Sequence, residues 1–328
     1  AVLAGVISAP NRYSPVRHLT RAQERRNLVL DRMTKVGWLG EEEAALTKGQ
    51  PVQVVRSQAN RKAPWAIDHA VELIDAELGE GSVASSGLTV RTTVDALLQQ
   101  VAKRAVADGI QAIEEAHPNV KGMEVALVAI DPERGDVLAM VGGRSYRASS
   151  FNRATKAARQ VGSTVKPFTW LLAYETDRNL APTTMISDEP LEREVNGELW
   201  APRNYDGQFL GEVSMEEALA KSRNVPAIHV AEGVGLMPLV DHLKNLGLSE
   251  ARAYPSTALG AFDASPLALA AAYSVFPGEG KVVSPRLIRS VRLPDGSERM
   301  KTKVLKRRIA SDRAAFLADV SLQATMAW

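Results

Sequence analysis

The stretch Arg159-Gln160-Val161-Gly162-Ser163-Thr164-Val165-Lys166-Pro167-Phe168 sets a serine hydroxyl three residues before a lysine amine, where a helical segment begins. In the helix predicted to follow, Thr169 to Thr176 with Trp170, Leu171, Leu172 and Tyr174, positions i and i+3 share a face. Ser163 and Lys166 can therefore touch. Pro167 limits where this helix can start, because its missing N–H is tolerated only in the first turn. Ser163 thus stands at the N-terminal end, where free backbone N–H groups and the helix dipole favour a developing negative charge. A serine is a weak nucleophile until a neighbour takes its proton, and a lysine does so only when burial or a nearby cation lowers its pKa. The pair points to acyl transfer. Alone, Ser-x-x-Lys is weak evidence, since the spacing recurs by chance on solvated helices.

A second element adds specificity. Ser222-Arg223-Asn224 follows a capping-box start, Ser214-Met215-Glu216-Glu217, and precedes Pro226, which can open a further helix. The trio falls between two predicted helices, a setting that can aim a hydroxyl and an amide at a neighbouring nucleophile. Without Ser163 it would read as an ordinary polar turn.

With these elements the chain resembles the class A, bifunctional penicillin-binding proteins that build bacterial peptidoglycan. The resemblance runs nearly end to end. It is carried by Phe151-Asn152-Arg153-Ala154, the Ser163 stretch, Pro202-Arg203-Asn204-Tyr205-Asp206-Gly207, Ser222-Arg223-Asn224-Val225-Pro226-Ala227, and Ala258-Leu259-Gly260 followed by Ser265-Pro266-Leu267. Near the start, Leu3-Ala4-Gly5, Ala9-Pro10-Asn11-Arg12-Tyr13-Ser14-Pro15, Arg25-Arg26-Asn27 and Val29-Leu30-Asp31-Arg32-Met33 look like the last segment of the family's glycosyltransferase domain.

The resemblance implies an α+β fold of the serine-penicillin-binding transpeptidase (β-lactamase/transpeptidase-like) type, an antiparallel sheet flanked by helices, preceded by a helical glycosyltransferase tail. It divides the chain into residues 1–50, the end of the glycosyltransferase domain; 51–120, a connecting region; and 121–328, the transpeptidase domain. The family's third motif, Lys-Thr-Gly, is absent before Trp328, and Lys301-Thr302-Lys303 in a basic run is a poor substitute. The glycosyltransferase glutamates are expected upstream of Ala1. The expectation is a fragment cut at both ends, incomplete at the C-terminus, with a strand such as Leu127 to Ile130 left unpaired at its edge, folding poorly and inactive by itself.

The same resemblance implies a D,D-transpeptidase. Ser163 Oγ would attack the carbonyl of the penultimate D-alanine of a stem pentapeptide, D-alanine would leave, and an amine of a neighbouring stem would resolve the acyl-enzyme. Lys166 is the preferred base, Ser222 relays protons and Asn224 binds the donor amide. Ser163's own N–H would give one oxyanion donor and a strand beyond the chain the other. A β-lactam would acylate Ser163 and block the second half-reaction. Partners would be stem peptides, lipid-linked glycan and other cell-wall synthesis proteins, at the outer face of the cytoplasmic membrane with an anchor upstream. No cofactor or metal is needed. Two other readings share the serine and lysine: a β-lactam hydrolase, for which no deacylating glutamate stands out, and a non-catalytic or penicillin-sensing scaffold with an incomplete site.

Composition sets outer limits. The 328 residues, 45% hydrophobic and 24% charged, allow about two domains with sizeable cores and give no sign of disorder. A net charge of +2 gives no electrostatic support for a nucleic-acid partner. The absence of cysteine excludes disulfides and thiolate chemistry, and no run of about 18 apolar residues spans a bilayer. The run from Lys301 to Arg308 reads as a solvated face. The five histidines, His18, His69, His117, His229 and His242, lack metal-ligand spacing and read as structural or surface. Trp65, Trp170 and Trp200 read as packing residues rather than sugar platforms. Two choices stay open: Asn204, Tyr205 and Asp206 either line the donor site or form a turn ended by Gly207, and Arg153 and Arg159 either lower the Lys166 pKa or are surface charges.

Local patterns predict the elements. Residues 1–51 are helical, with Leu28, Leu30, Met33 and Val36 at helical spacing before Gly37, and a second helix from Glu41. Pro64-Trp65 leads a helix to Leu78, a Gly/Ser-rich gap follows to Gly87, Leu88 to Thr93 is a strand, and Asp95 caps a helix to Glu115. Glu124 to Ile130 and Asp136 to Val141 form a hairpin. Helices dominate thereafter except for a late hairpin, Leu287 to Arg292 with Ser297 to Thr302, around Pro294-Asp295-Gly296.

Overall fold

A computed structural model describes every residue except 10, 11, 16, 17, 53–61, 86, 196, 327 and 328. Pro10 and Asn11, two carriers of the resemblance, and Trp328 lie outside the described residues. The chain forms two compact units, Ala1–Arg61 and Lys62–Trp328.

The first unit is helical, with α1 (Val2–Ile7), α2 (Leu19–Lys35) and α3 (Glu41–Gly49). Gly5 is buried against Arg25 of α2, and a side chain there would press on the Arg25 stem. Arg26 is buried and donates to the carbonyls of Lys48 (2.9 Å) and Gln50 (2.6 Å), satisfying orphan acceptors at the end of α3. Gly37, just past α2, takes φ +78°, the left-handed stop expected of it.

The second unit begins with α4 (Pro64–Leu78), opened by Pro64 and closed by Gly79 at φ +103°. The expected Gly/Ser gap contains a short helix, α5 (Ser82–Ser85). Then come β1 (Thr89–Thr92), α6 (Ala96–Ala116), β2 (Leu127–Ile130) and β3 (Val137–Val141). Asp95 caps α6 by accepting from the N–H groups of Leu97 and Leu98, both at 2.9 Å.

β2 and β3 pair antiparallel around the Asp131–Gly135 turn. Strand alternation sends Ala139 and Val141 against Ala102, Val106 and Ile110 of α6, and Met140 to the opposite face. A second antiparallel sheet has the order β1–β11–β12, with β11 (Ile288–Arg292) and β12 (Glu298–Lys301) forming the predicted late hairpin. The two sheets are spliced by the Val137 N–H donating to Arg286 O and the Asp95 N–H to Leu138 O, both 2.9 Å, and by the buried Thr93 hydroxyl donating to Val137 O at 2.8 Å. Among the described residues the outer edge of β2 has no strand beside it.

A helical lobe carries the main core. It contains α7 (Arg153–Lys156), β4 (Arg159–Gln160), α8 (Lys166–Thr176), β5 (Met185–Asp188), β6 (Arg193–Val195), β7 (Glu198–Trp200), β8 (Gly211–Ser214), α9 (Met215–Ala220), α10 (Asn224–Val234) and α11 (Leu236–Asn245). It continues with β9 (Asp263–Ala264), α12 (Pro266–Tyr273), β10 (Lys281–Val283), β13 (Lys306–Arg308) and α13 (Asp312–Ala324). Every residue of α8 from Lys166 to Tyr174 is buried, packed by α10, α11 and α13. A helix apolar on nearly all faces belongs at the centre of a lobe. Trp170 Nε1 donates to Met215 O at 3.0 Å and Tyr174 Oη meets Ser321 Oγ at 3.0 Å, while the buried Thr169 Oγ1 has no partner among the described residues.

The architecture is the α+β arrangement expected, with one correction. Helices do not exclude strands after residue 150: β4 pairs β9, β5 pairs β8, β6 pairs β7 and β10 pairs β13. Most are two to four residues long with partners remote in sequence, so they carry no periodic signal. The basic run is exposed, as a solvated face should be, and Lys306–Arg308 within it is a strand paired with β10.

His242 of α11 is buried, and its Nε2 finds no partner among the described residues. Burial lowers its pKa to about 4, with Glu175 acting weakly the other way. Between that value and the ordinary ~6.5 the unfolded chain binds a proton that the folded chain does not, so stability falls as pH falls through this window, by ~3 kcal/mol at its acid end. His242→Leu should flatten that part of the dependence. Urea midpoints of the natural protein at pH 4 and pH 7 measure it, and an unchanged difference in the variant would refute the assignment.

Candidate active site

The helical lobe presents the Ser163 stretch from a 3-10 turn, Gly162–Val165, that leads directly into α8. In such a turn side chains at i and i+3 lie one over the other, which places Ser163 beside the stem of Lys166. Three contacts fix the turn. The Val161 N–H donates to Phe262 O at 3.0 Å and the Gly162 N–H to Gly260 O at 3.1 Å, while Tyr273 Oη donates to Thr164 O at 2.9 Å. Gly162 and Gly260 both sit at positive φ, +56° and +74°, and a Cβ on Gly260 would collide with the Gly162 backbone. This is the physical content of Ala258-Leu259-Gly260: glycine lets one backbone lie flat on the other behind the nucleophile. Ser163 itself is exposed, and among the described residues no hydrogen bond holds its hydroxyl.

Lys166, by contrast, is 1% exposed. Its Nζ donates to Ser222 O at 2.6 Å, to Asn224 Oδ1 at 2.8 Å and to Ser222 Oγ at 3.1 Å. All three acceptors are neutral. Burial first, and then the Arg223 guanidinium, lower the amine's pKa to about 8. A neutral lysine has two N–H bonds and one lone pair. The two shorter contacts fit the N–H bonds, and the third leaves the lone pair facing a hydroxyl.

The Ser222–Asn224 loop joins α9 to α10. Ser214 caps α9 by accepting from the Glu217 N–H at 3.1 Å, and Asn224 is the first residue of α10. Ser222 takes φ +52°, a conformation rare for a residue with a Cβ, and this turns its carbonyl toward Lys166. Arg223 is buried. Its Nε donates to Asp188 at 2.8 Å and its Nη1 to Asp206 at 2.7 Å, and its Nη2 donates to Gln208 O. Asn224 Nδ2 donates to Arg203 O at 2.7 Å.

The structure thus brings Lys166, Ser222 and Asn224 into one bonded cluster, with Ser163 exposed on the 3-10 turn that leads into Lys166 and, among the described residues, not bonded to the cluster. Asn204 and Tyr205 are placed differently from a shared lining role. Asn204 is buried and spent on the protein: its Nδ2 donates to Asp188 (2.7 Å) and Gln208 O (2.9 Å), and its Oδ1 accepts the Asn224 N–H (2.7 Å). Tyr205 stands fully exposed in a turn closed by the Gly207 N–H donating to Asn204 O at 3.0 Å. Asp206 supports Arg223, and its carboxyl is held below the usual range by the Gln208 N–H and then by that guanidinium.

Neither Arg153 nor Arg159 acts on Lys166. Arg153 pairs with Glu124 at 3.6 Å, and Arg159 is exposed on β4; the cation that lowers the amine is Arg223. Trp65 and Trp170 are core residues and Trp200 packs against the core. Sequence reasoning missed Arg223, Asp188, Tyr273 and the Gly162–Gly260 contact. Only the glycines had a signal, as residues suited to positive φ.

Residues 125–325 match the family model described as the penicillin binding protein transpeptidase domain. The chain is 34% identical over 330 residues to penicillin-binding protein 1B of Vibrio cholerae serotype O1, covering 98% of this chain and 42% of that protein. To penicillin-binding protein 2D of Bacillus subtilis it is 31% identical over 326 residues, covering 97% and 46%. The chain therefore spans less than half the length of these curated relatives. Among solved structures, penicillin-binding protein 1A from Haemophilus influenzae superimposes with a TM-score of 0.80 at 21% identity, over 99% of this chain and 67% of that one. Penicillin-binding protein A from M. tuberculosis, solved as an imipenem acyl-enzyme complex, gives 0.60 at 20% identity over 78% and 67%.

Proposed function

This chain belongs to the penicillin-binding protein transpeptidase family, among the class A proteins, and from that premise we propose that it carries the D,D-transpeptidase site of a peptidoglycan synthase. The observation that carries the reading is the buried Lys166 amine, lowered to about 8 and held by Ser222 and Asn224, three residues after an exposed serine on the turn that opens the same helix. An amine poised near neutral pH is what general-base chemistry requires.

Ser163 Oγ attacks the carbonyl carbon of the penultimate D-alanine, and its proton passes to Lys166 Nζ. The new C–O bond forms, the C–N bond to the terminal D-alanine breaks, and the proton travels by way of Ser222 Oγ to the departing amine. An amine of a neighbouring stem then attacks the ester, forming the cross-link and returning the proton to Ser163. Asn224 orients the donor amide, and Tyr205 is offered to substrate by its exposure. Asn204 serves indirectly, through Asn224. A β-lactam follows the first half of this path and stalls, because its opened ring stays attached. A non-catalytic scaffold would have no use for the lowered amine.

The wider assignment is proposed on the same footing. Residues 1–50 end a glycosyltransferase domain, 51–120 connect, and 121–328 belong to the transpeptidase domain. The natural protein would also polymerise lipid-linked glycan at the outer face of the cytoplasmic membrane. No helix among the described residues is long and apolar enough to cross a membrane. The direct test is release of D-alanine from a stem pentapeptide by the natural full-length protein, with formation of a cross-linked dimer. Folded protein that releases none would overturn the proposal.

A further inference from the structure

Arg223 is the middle residue of the Ser222–Asn224 loop. Its buried guanidinium donates to Asp188, Asp206 and Gln208 O. Asp188, fully buried at the end of β5, receives Arg223 Nε at 2.8 Å on one oxygen and Asn204 Nδ2 at 2.7 Å on the other. Asp206 receives Nη1 at 2.7 Å from the Tyr205 turn. Asn204 Oδ1 then accepts the Asn224 N–H at 2.7 Å, and Arg203 O accepts Asn224 Nδ2 at 2.7 Å. The loop is therefore gripped from behind at Arg223 and Asn224, while its front carries the three acceptors of Lys166. Ser222, just before them, keeps φ +52°, which persists only where the surroundings over-determine it.

We propose that Arg223, clamped by Asp188 and Asp206, is a positioning residue that locks the Tyr205 turn and the Ser222–Asn224 loop into one rigid part and so sets the aim and basicity of Lys166. This rests on the reading of Ser163 as nucleophile and Lys166 as base. A buried ion pair contributes little net stability compared with apolar packing, so its place directly behind the loop is better explained by geometry than by folding energy. The charges also act. Arg223 disfavours the protonated amine, Asp188 and Asp206 moderate Arg223, and the three together fix the field behind Lys166.

The test is the pH profile of acylation by labelled benzylpenicillin in the natural full-length protein. Arg223→Gln removes the fork and leaves two carboxylates uncompensated. It should lower the second-order acylation rate at pH 7 by about 10- to 100-fold, the scale of a misplaced group, and move the midpoint of the profile to higher pH. Arg223→Lys keeps the charge but not the fork, so it should restore the midpoint and not the full rate. Asp206→Asn, at a half-exposed partner that leaves the core intact, should lower the rate without moving the midpoint upward. Wild-type rate and midpoint in Arg223→Gln would overturn the proposal. So would losses in all three variants that track thermal stability alone at a constant midpoint. A wild-type protein that is never acylated would instead defeat the underlying reading, and the proposal with it.

Discussion

Replacing Ser163 by alanine in the natural full-length protein should lower the second-order rate of acylation by benzylpenicillin by about 10⁴-fold or more, the scale at which removing a catalytic nucleophile acts. The same change should leave stability within about 0.5 kcal/mol, because Ser163 is exposed and its hydroxyl carries no hydrogen bond among the described residues. That combination is diagnostic, since a residue that mattered for folding would move both. The turn survives the substitution because its fixing contacts, from Gly260, Phe262 and Tyr273, reach backbone atoms of Val161, Gly162 and Thr164. Acylation near the wild-type rate would move the nucleophile elsewhere, with Thr164 the nearest hydroxyl to examine.

Lys166 carries the second large effect. With its pKa at about 8, roughly a tenth of the amine is neutral at pH 7, against about one part in 3,000 for an ordinary lysine at 10.5, a gain of about 300-fold in usable base. The acylation rate should therefore rise with pH through about 8 and then level off. The sign follows from the charge: the protonated amine is inactive, so activity is lost as pH falls below the lowered pKa. Lys166→Arg stays charged throughout and should lower the rate by about 10³-fold, with no limb near 8. Stopped-flow acylation between pH 6 and 9.5 reads both. A flat wild-type profile, or a limb near 6.5, would remove Lys166 from the role of base.

Much of this was legible in the residues because the signals were local. Pro64 and Gly79 bound α4, Asp95 caps α6, and Asp131 to Gly135 closes the β2–β3 hairpin, each through a backbone requirement that one or two residues meet. The cluster was legible for another reason. Ser163 with Lys166, and Ser222 with Asn224, are fixed pairs on two helix starts that the core brings together. What stayed hidden depends on contacts far apart in sequence. β5 and β8 are brief, so their pairing has no periodicity to read. Arg223 was the variable middle of a motif, and nothing local marked Asp188, 35 residues earlier, as its partner. For Asn204 the residues leave two roles open, lining the donor site or belonging to a turn ended by Gly207, because asparagine serves both. Its burial beneath Asn224, which makes it a support instead, depends on where the loop after α9 passes.

The central claim is that Ser163 becomes the acyl-enzyme. It is tested most directly by treating the natural protein with benzylpenicillin, digesting it with trypsin and sequencing the modified peptide by mass spectrometry. Proline after Lys166 protects that bond, so Ser163 should be found in a peptide of residues 160–178. The expected result is one penicilloyl group on that peptide, on Ser163 and not on Thr164, and none in Ser163→Ala. A folded protein with no adduct, or an adduct on another residue, would contradict it.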